Sequence, residues 1–221
     1  MIRRLDHAEA KDHPALWGDL ELEGLMPRAR PQHHQAERQR VAGVLARQGW
    51  CLAGASCLAL VRPLPWDTAH FGVTCADLSR LYVEPGADHG DEPDALLIAV
   101  VAEARRRGVR LLSARPLTRH RPLFDPLLER GFALLDTSVE IGCPDAGHLG
   151  PEHPREAATR PAEPADLARL QTIAQSFTAN RFHRDPRLPR PTAQGVYGEW
   201  VKSALQRGEV TVIESAGQPA G

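Results

Sequence analysis

The sequence predicts a mixed α/β protein with a central sheet flanked by helices, built as two units. Three observations carry that reading. Between residues 50 and 141, strand-like and helix-like segments alternate. A stretch dense in Gly, Pro, His and Glu follows, over residues 142–164. Beyond it the pattern begins again with a strand, two amphipathic helices and another strand. Alternation of this kind places helices on a partly parallel sheet.

Each element has its own signal. Residues 31–48 read as a helix with Val41, Val44 and Leu45 on one face and Gly49 as its stop. Residues 50–61 are small, apolar and uncharged but for their surroundings, as in a buried strand or a strand pair turning near Gly54. Pro63 and Pro65 then break the chain. Residues 76–84 alternate as a strand through Leu78, Leu81 and Val83, and residues 87–93 read as an acidic loop. Asp94 is placed to cap a helix with Leu96, Leu97, Val100, Val101 and Ala104 on one side. Its basic end, Arg105-Arg106-Arg107-Gly108, complements the helix dipole. Residues 109–114 make a short apolar strand, residues 123–130 a short helix, and residues 132–141 a last strand.

Residues 1–141 therefore form the first domain, 142–158 a linker and 159–221 the start of a second. In the second, residues 159–162 make a short strand and residues 164–166 open a helix bearing Leu167, Leu170, Ala174 and Phe177. Thr192 is placed to cap a further helix carrying Val196, Tyr197, Trp200, Val201 and Leu205, and residues 209–215 are a strand.

Bulk properties exclude several functions. Net charge is −1, so no global field draws in nucleic acid or acidic lipid. No apolar run is long enough for a membrane span, and the charged N-terminus has no apolar stretch behind it. The cysteines, Cys51, Cys57, Cys75 and Cys143, form no C-x-x-C pair, and three lie in apolar strand-like contexts that favour reduced, buried thiols. These features predict a cytoplasmic protein. The acidic run Asp88, Asp91, Glu92 and Asp94 lacks the spacing of a calcium loop. His33-His34 sits on the polar face of its helix without a ligand at the right spacing, and His89, His148 and His153 read as solvated loop residues, so no metal site is expected. No P-loop, nucleophile elbow or dinucleotide fingerprint occurs.

Two constellations remain. Residues 64–72 hold Trp66, Asp67, His70 and Phe71 between Pro65 and Gly72. An aromatic face can stack on a sugar or base while a carboxylate accepts from hydroxyls. Equally, Trp66 and Phe71 can be core residues and Asp67 a turn cap. Residues 180–189 hold Arg181, Phe182, His183, Arg184, Asp185 and Arg187 between Asn180 and Pro189. The arginines suit phosphates, and Asp185 and His183 could orient an amine or shuttle its proton. Equally, the loop can be tied by Arg–Asp pairs over a buried Phe182.

Together with the Tyr197-x-x-Trp200 helix, residues 111–116 and residues 131–140, these constellations resemble the GNAT-family N-acetyltransferases that act on TDP-4-amino-4,6-dideoxyhexoses. The resemblance covers most of the chain from about residue 50. It implies a degenerate GNAT-like first half and a second half that is the working acetyltransferase. It also implies acetyl-CoA as co-substrate and a primary amine on a nucleotide-linked amino sugar as acceptor. Trp66, Asp67, Phe71, Arg181, Phe182, His183 and Asp185 are the implied substrate-binding residues, and a homodimer is possible in this class. A working GNAT holds the CoA pyrophosphate on an Arg/Gln-x-x-Gly-x-Gly/Ala loop. In the first half the equivalent residues 84–93 are acidic and lack that spacing. In the second half that loop, its helix, the following strand and the thiolate-protonating residue would come after residue 221, so no catalytic or cofactor-binding residue is assigned. The alternative function is a non-catalytic GNAT-like binding or scaffold module.

Overall fold

The β2–β3 hairpin is the centre of the first unit. Strands β2 (Trp50–Ala53) and β3 (Cys57–Pro63) are almost wholly buried, which explains why residues 50–61 carry no charge. A computed structural model of the chain describes residues 1–17, 30–84, 88–116, 121–138, 158–215 and 218–219. These fall into two units, Met1–Ala133 and Leu134–Gly221.

In the first unit the sheet order is β1-β2-β3-β4-β5, with β1 (Arg3–Leu5), β4 (Cys75–Val83) and β5 (Leu111–Ala114). Pairing is antiparallel from β1 to β4 and parallel between β4 and β5. The parallel step needs a crossover, and helix α4 (Glu92–Arg106) supplies it. Along β4 the register against β3 slips between Leu60 and Val61, so Ser79 is an extra residue. Its hydroxyl donates to the Leu60 carbonyl at 3.1 Å.

Each sheet face has its own core. One cluster joins Trp50, Leu52, Ala59, Val61, Ala76 and Leu78 to Leu96, Leu97 and Val100 of α4. The other joins Cys51, Leu58, Leu60 and Tyr82 to Leu5, Ala10, Leu16 and Val41. Val41 belongs to α2 (Arg30–Ala46) and Ala10 to α1 (His7–Lys11). On that second face Glu37 of α2 is only 2% exposed and accepts from the Tyr82 hydroxyl and from Arg40 Nε at 3.1 Å. A buried carboxylate is tolerable only when so partnered.

Several expectations need correction. Residues 63–72 are not merely a break: Pro65 occupies the first turn of helix α3 (Pro65–Phe71), where its missing N–H costs nothing, and Gly72 ends it at φ 68°. Helix α4 begins two residues before Asp94, with Asp91 at the cap and Pro93 in its first turn, so the acidic loop is shorter than expected. Residues 132–138 carry no strand; most of their side chains are exposed, and a lone segment without a ladder partner is not a strand. Helix α5 (Arg121–Glu129) precedes them, and Gly131 stands at φ 86° after it. The expected strand's last residues and residues 142–157 of the expected linker lie outside the described residues, and Ala158, expected in that linker, opens a strand instead.

The second unit holds a three-stranded sheet in the order β6-β7-β8: β6 (Ala158–Pro161), β7 (Thr211–Ser215) and β8 (Gln218–Pro219), all antiparallel. Helices α6 (Leu167–Gln175), α7 (Arg181–Arg184) and α8 (Arg190–Gln206) lie between β6 and β7 in sequence. Pro189, not Thr192, stands at the cap of α8, because a second proline, Pro191, fits the first helical turn. Arg160 ties β6 down, bidentate to Asp166 at 2.7 and 2.9 Å and to Glu214 at 2.7 Å.

Candidate functional site

The two sequence constellations fall in different units, and each is built separately. Helix α3 presents the first. Trp66 stacks on His70 with ring centroids 4.8 Å apart and 11° between planes, the i,i+4 spacing that puts both on one helix face. His70 in turn meets Phe71 edge-on at 4.9 Å, and Phe71 is buried. Asp67 lies in the first helical turn and is half-buried, as is Trp66. Thr68 Oγ1 accepts from the Cys75 N–H at 2.9 Å, which fixes the helix to the start of β4. Trp66 and Asp67 therefore share a helix rather than a loop, and Phe71 is a packing residue.

The parallel strand adds a second feature to this unit. Strand β5 pairs with Cys75–Leu78 and stops where the Ser79 bulge begins. From Ser79 to Val83 the β5 side of β4 has no ladder partner among the described residues. The residues that follow β4 carry acids, and most of those acids are engaged. Glu92 accepts from the Ala55 N–H, the Ser56 N–H at 2.9 Å and the Ser56 hydroxyl. Asp94 pairs with Arg130, and Asp88 accepts from the Gly90 N–H at 3.2 Å. Burial pushes the Glu92 carboxyl up, but the Ser56 and Ala55 donors outweigh it and hold its pKa below the usual range. The first turn of α4 thus carries two acids, Glu92 and Asp94. A pyrophosphate placed there would meet like charges, so these residues do not fit the CoA phosphates.

His89 also departs from expectation. It is no freely solvated residue, because its Nδ1 lies 3.0 Å from Ser56 Oγ. The Ser56–Glu92–His89 brace was invisible in the sequence, since Ser56 and Glu92 lie 36 residues apart. The N-terminal helix was also missed, although Asp6 and Glu9 form a capping box that the D-x-x-E spacing signals.

The second constellation sits on α7 and the turn after it. Asn180 caps α7: its Oδ1 accepts from the Phe182 and His183 N–H groups at 3.0 and 3.2 Å. Its Nδ2 donates to the Phe177 carbonyl at 2.5 Å and lies 2.8 Å from His183 Nδ1. Phe182 is 6% exposed and meets Trp200 edge-on at 5.6 Å and Tyr197 at 6.5 Å. Tyr197 and Trp200 meet at 5.2 Å on one face of α8. The Arg181 guanidinium lies 4.6 Å from the Phe182 ring centroid.

Asp185 is 4% exposed and grips Arg187. Its Oδ1 accepts from the Arg187 N–H at 3.0 Å and Nε at 2.7 Å, and its Oδ2 from Nη2 at 2.7 Å. Burial pushes the Asp185 carboxyl up, but these Arg187 bonds win and hold it below the usual carboxylate range. Phe182 and Asp185 therefore shape the loop from within, whereas Arg181 and His183 are half-exposed. Among the described residues no helix is long and apolar enough to cross a membrane.

No protein-family model matches the chain, and no curated protein sequence matches it. Among solved structures, it is similar to a ribosomal-protein-alanine N-acetyltransferase from Brucella melitensis biovar Abortus 2308, at 15% identity and TM-score 0.44. That likeness covers 65% of this chain and 99% of the other. An acetyltransferase from Trypanosoma brucei matches at 14% identity and TM-score 0.44, over 65% and 99% of the two chains. An aminoglycoside N-acetyltransferase solved in complex with CoA matches at 16% identity and TM-score 0.42, over 65% and 93%.

Proposed function

We propose that the chain belongs to a GNAT-type N-acetyltransferase that moves an acetyl group from acetyl-CoA to a primary amine on a nucleotide-linked amino sugar. The observation that carries this reading is the Asn180–Arg187 segment. A capped helix, an aromatic floor of Phe182, Tyr197 and Trp200, and a buried Asp185–Arg187 clamp hold Arg181 and His183 in fixed places. A loop fixed before ligand arrives pays less ordering entropy on binding. In the second unit Arg181 has the planar donors that suit phosphate; separately, in the first unit, Trp66 and Asp67 on α3 have a ring face and an acceptor of the kind that suits hydroxyls. Within its own unit each set is backed by packing: Phe71 beside His70 on α3, and Phe182 and Asp185 at α7 and the turn after it.

In this reading the domain at residues 1–141 is the degenerate half, 142–158 the linker, and 159–221 belongs to the acetyltransferase domain. On the same reading the protein acts in the cytoplasm. The reaction is attack of the neutral amine nitrogen on the thioester carbonyl; a C–N bond forms, the C–S bond breaks, the nitrogen gives up one proton and the thiolate takes one up. No acid or base is assigned for it. The second reading is a non-catalytic GNAT-like binding or scaffold module, which shares the acidic α4 turn of the first half and would bind the sugar nucleotide without acetyl-CoA.

Calorimetric titration of the full-length protein separates the two. The acetyltransferase binds acetyl-CoA and the amino sugar, and releases free thiol when both are present. Binding of the sugar nucleotide with no heat from acetyl-CoA establishes the binding module instead. Binding of neither overturns both.

A further inference from the structure

We infer that His183 offers its Nε2–H to an oxygen of the amine-bearing ligand, rather than accepting the amine's proton. The inference rests on the acceptor-site reading above and assigns His183 its part there. The argument starts at Asn180, whose amide can lie only one way round. Its Oδ1 receives two backbone N–H groups, at 3.0 and 3.2 Å, and its Nδ2 faces the Phe177 carbonyl at 2.5 Å. Reversing the amide would set N–H against N–H and oxygen against oxygen. The nitrogen that stands 2.8 Å from His183 Nδ1 is therefore a donor, and Nδ1 must accept.

A neutral imidazole with Nδ1 accepting carries its proton on Nε2. His183 Nε2 is buried and has no hydrogen-bond partner among the described residues. The ring thus has its one lone pair occupied and its one N–H unspent. A group in that state cannot take a proton from an ammonium without first breaking the Asn180 bond. Nε2 is closed to solvent in the free protein, so it donates to a ligand oxygen only once the side chains over it part, and a buried donor left unpaired is a standing cost that such an acceptor relieves. In a nucleotide-linked amino sugar the available lone pairs include those of phosphate oxygens, base carbonyl oxygens and sugar oxygens.

The test is long-range ¹H–¹⁵N correlation of the full-length protein labelled at histidine. The free protein is expected to show His183 as the Nε2–H tautomer with Nδ1 bare. Saturation with a TDP-linked 4-amino sugar should move the Nε2–H resonance downfield. TDP alone should reproduce the shift if a phosphate or base oxygen is the partner, and leave it unchanged if an oxygen of the amino sugar is. An Nδ1–H tautomer, or an Nε2–H resonance that stays put while calorimetry shows the amino sugar bound, overturns the inference and leaves the proposed substrate standing. Failure of the amino sugar to bind overturns the substrate, and the inference falls with it. Substitution gives an independent readout. His183→Leu should weaken amino-sugar binding by roughly 3- to 10-fold, whereas His183→Gln, which keeps an N–H near the same place, should stay within about twofold. Equal loss in both variants also overturns the inference.

Discussion

Gly54 and Glu92 should behave as one energetic unit. A Cβ built on Gly54 would stand 1.8 Å from Glu92 Oε1, 2.4 Å from Cδ and 2.9 Å from Cγ. Gly54 is not among the residues with positive φ, so alanine is acceptable to the backbone there. The obstacle is the Glu92 side chain, which would have to swing away and abandon the β2–β3 turn. Of the three donors it would leave, the Ala55 N–H is at an exposed residue and finds water. The Ser56 hydroxyl retains His89 Nδ1 at 3.0 Å, and the Ser56 N–H loses its acceptor. Bonds to a charged group contribute about 1.5–3 kcal/mol each when shielded, less when solvent competes, so the loss is about 2 kcal/mol. Gly54→Ala and Glu92→Ala should each cost about that much, and the double variant no more than either alone. Urea midpoints of the full chain measure the cycle, and amide exchange at Ser56 reports the same opening locally. If the double variant loses the sum, about 4 kcal/mol, Glu92 is not what excludes a side chain at position 54, and the reasoning fails.

Other outcomes follow from the same geometry. Asp185→Asn should destabilise the second unit by about 2–3 kcal/mol, because it removes the charge that Arg187 grips at a buried position; a urea midpoint unchanged from the parent would refute this. Glu92 and Asp185 both have folded pKa values below the usual carboxylate range, so their contribution is complete above it and fades as pH falls through the folded values. The urea midpoint should therefore be flat above about pH 5 and drop on acidification, less so in Glu92→Gln. Burial pushes the Cys51 thiol up to about 12 and those of Cys57 and Cys75 up to about 11, so iodoacetamide at pH 8 should leave all three unlabelled until urea unfolds the chain. Arg181→Ala in the full-length protein should raise KM for the amino sugar while leaving KM for acetyl-CoA unchanged; an equal rise in both would place Arg181 outside the acceptor site.

Elements buried by their own composition were legible in the sequence. The uncharged run at residues 50–61 gave away the hairpin, and the 3.6-residue spacing of Leu96, Leu97, Val100 and Ala104 gave away α4. Strand β4 was found but its two-phase pattern was not, because the Ser79 bulge shifts the inward positions by one residue. Helix α3 hid behind Pro65, whose role at a helix start differs from its role as a breaker. At the candidate site, the Asp185–Arg187 clamp is local and could be read from spacing alone. The Glu92–Ser56 brace could not, because an acid near a helix start looks like a cap whatever it binds. The tautomer of His183 lies further still from the sequence, since it depends on which way the Asn180 amide is turned.

The parallel placement of β5 sets an order of events for a chain collapsing from the unfolded state. The β2–β3 hairpin closes with Ala53 against Leu58, five residues on. Joining Ser113 to Asp77 closes a segment of 36 residues. With closure entropy growing as (3/2)RT ln n, the longer closure costs about 1.7 kcal/mol more. No ladder bond of β5 offsets that cost until α4 has formed and turned the chain back. Strand β5 is therefore expected to join the β2–β3–β4 layer late, as is β1, whose pairing of Leu5 with Cys51 closes a longer segment still. Substitutions at Leu112 or Ala114 should speed unfolding and leave the refolding rate nearly untouched, whereas those at Leu58 or Leu60 should slow refolding itself.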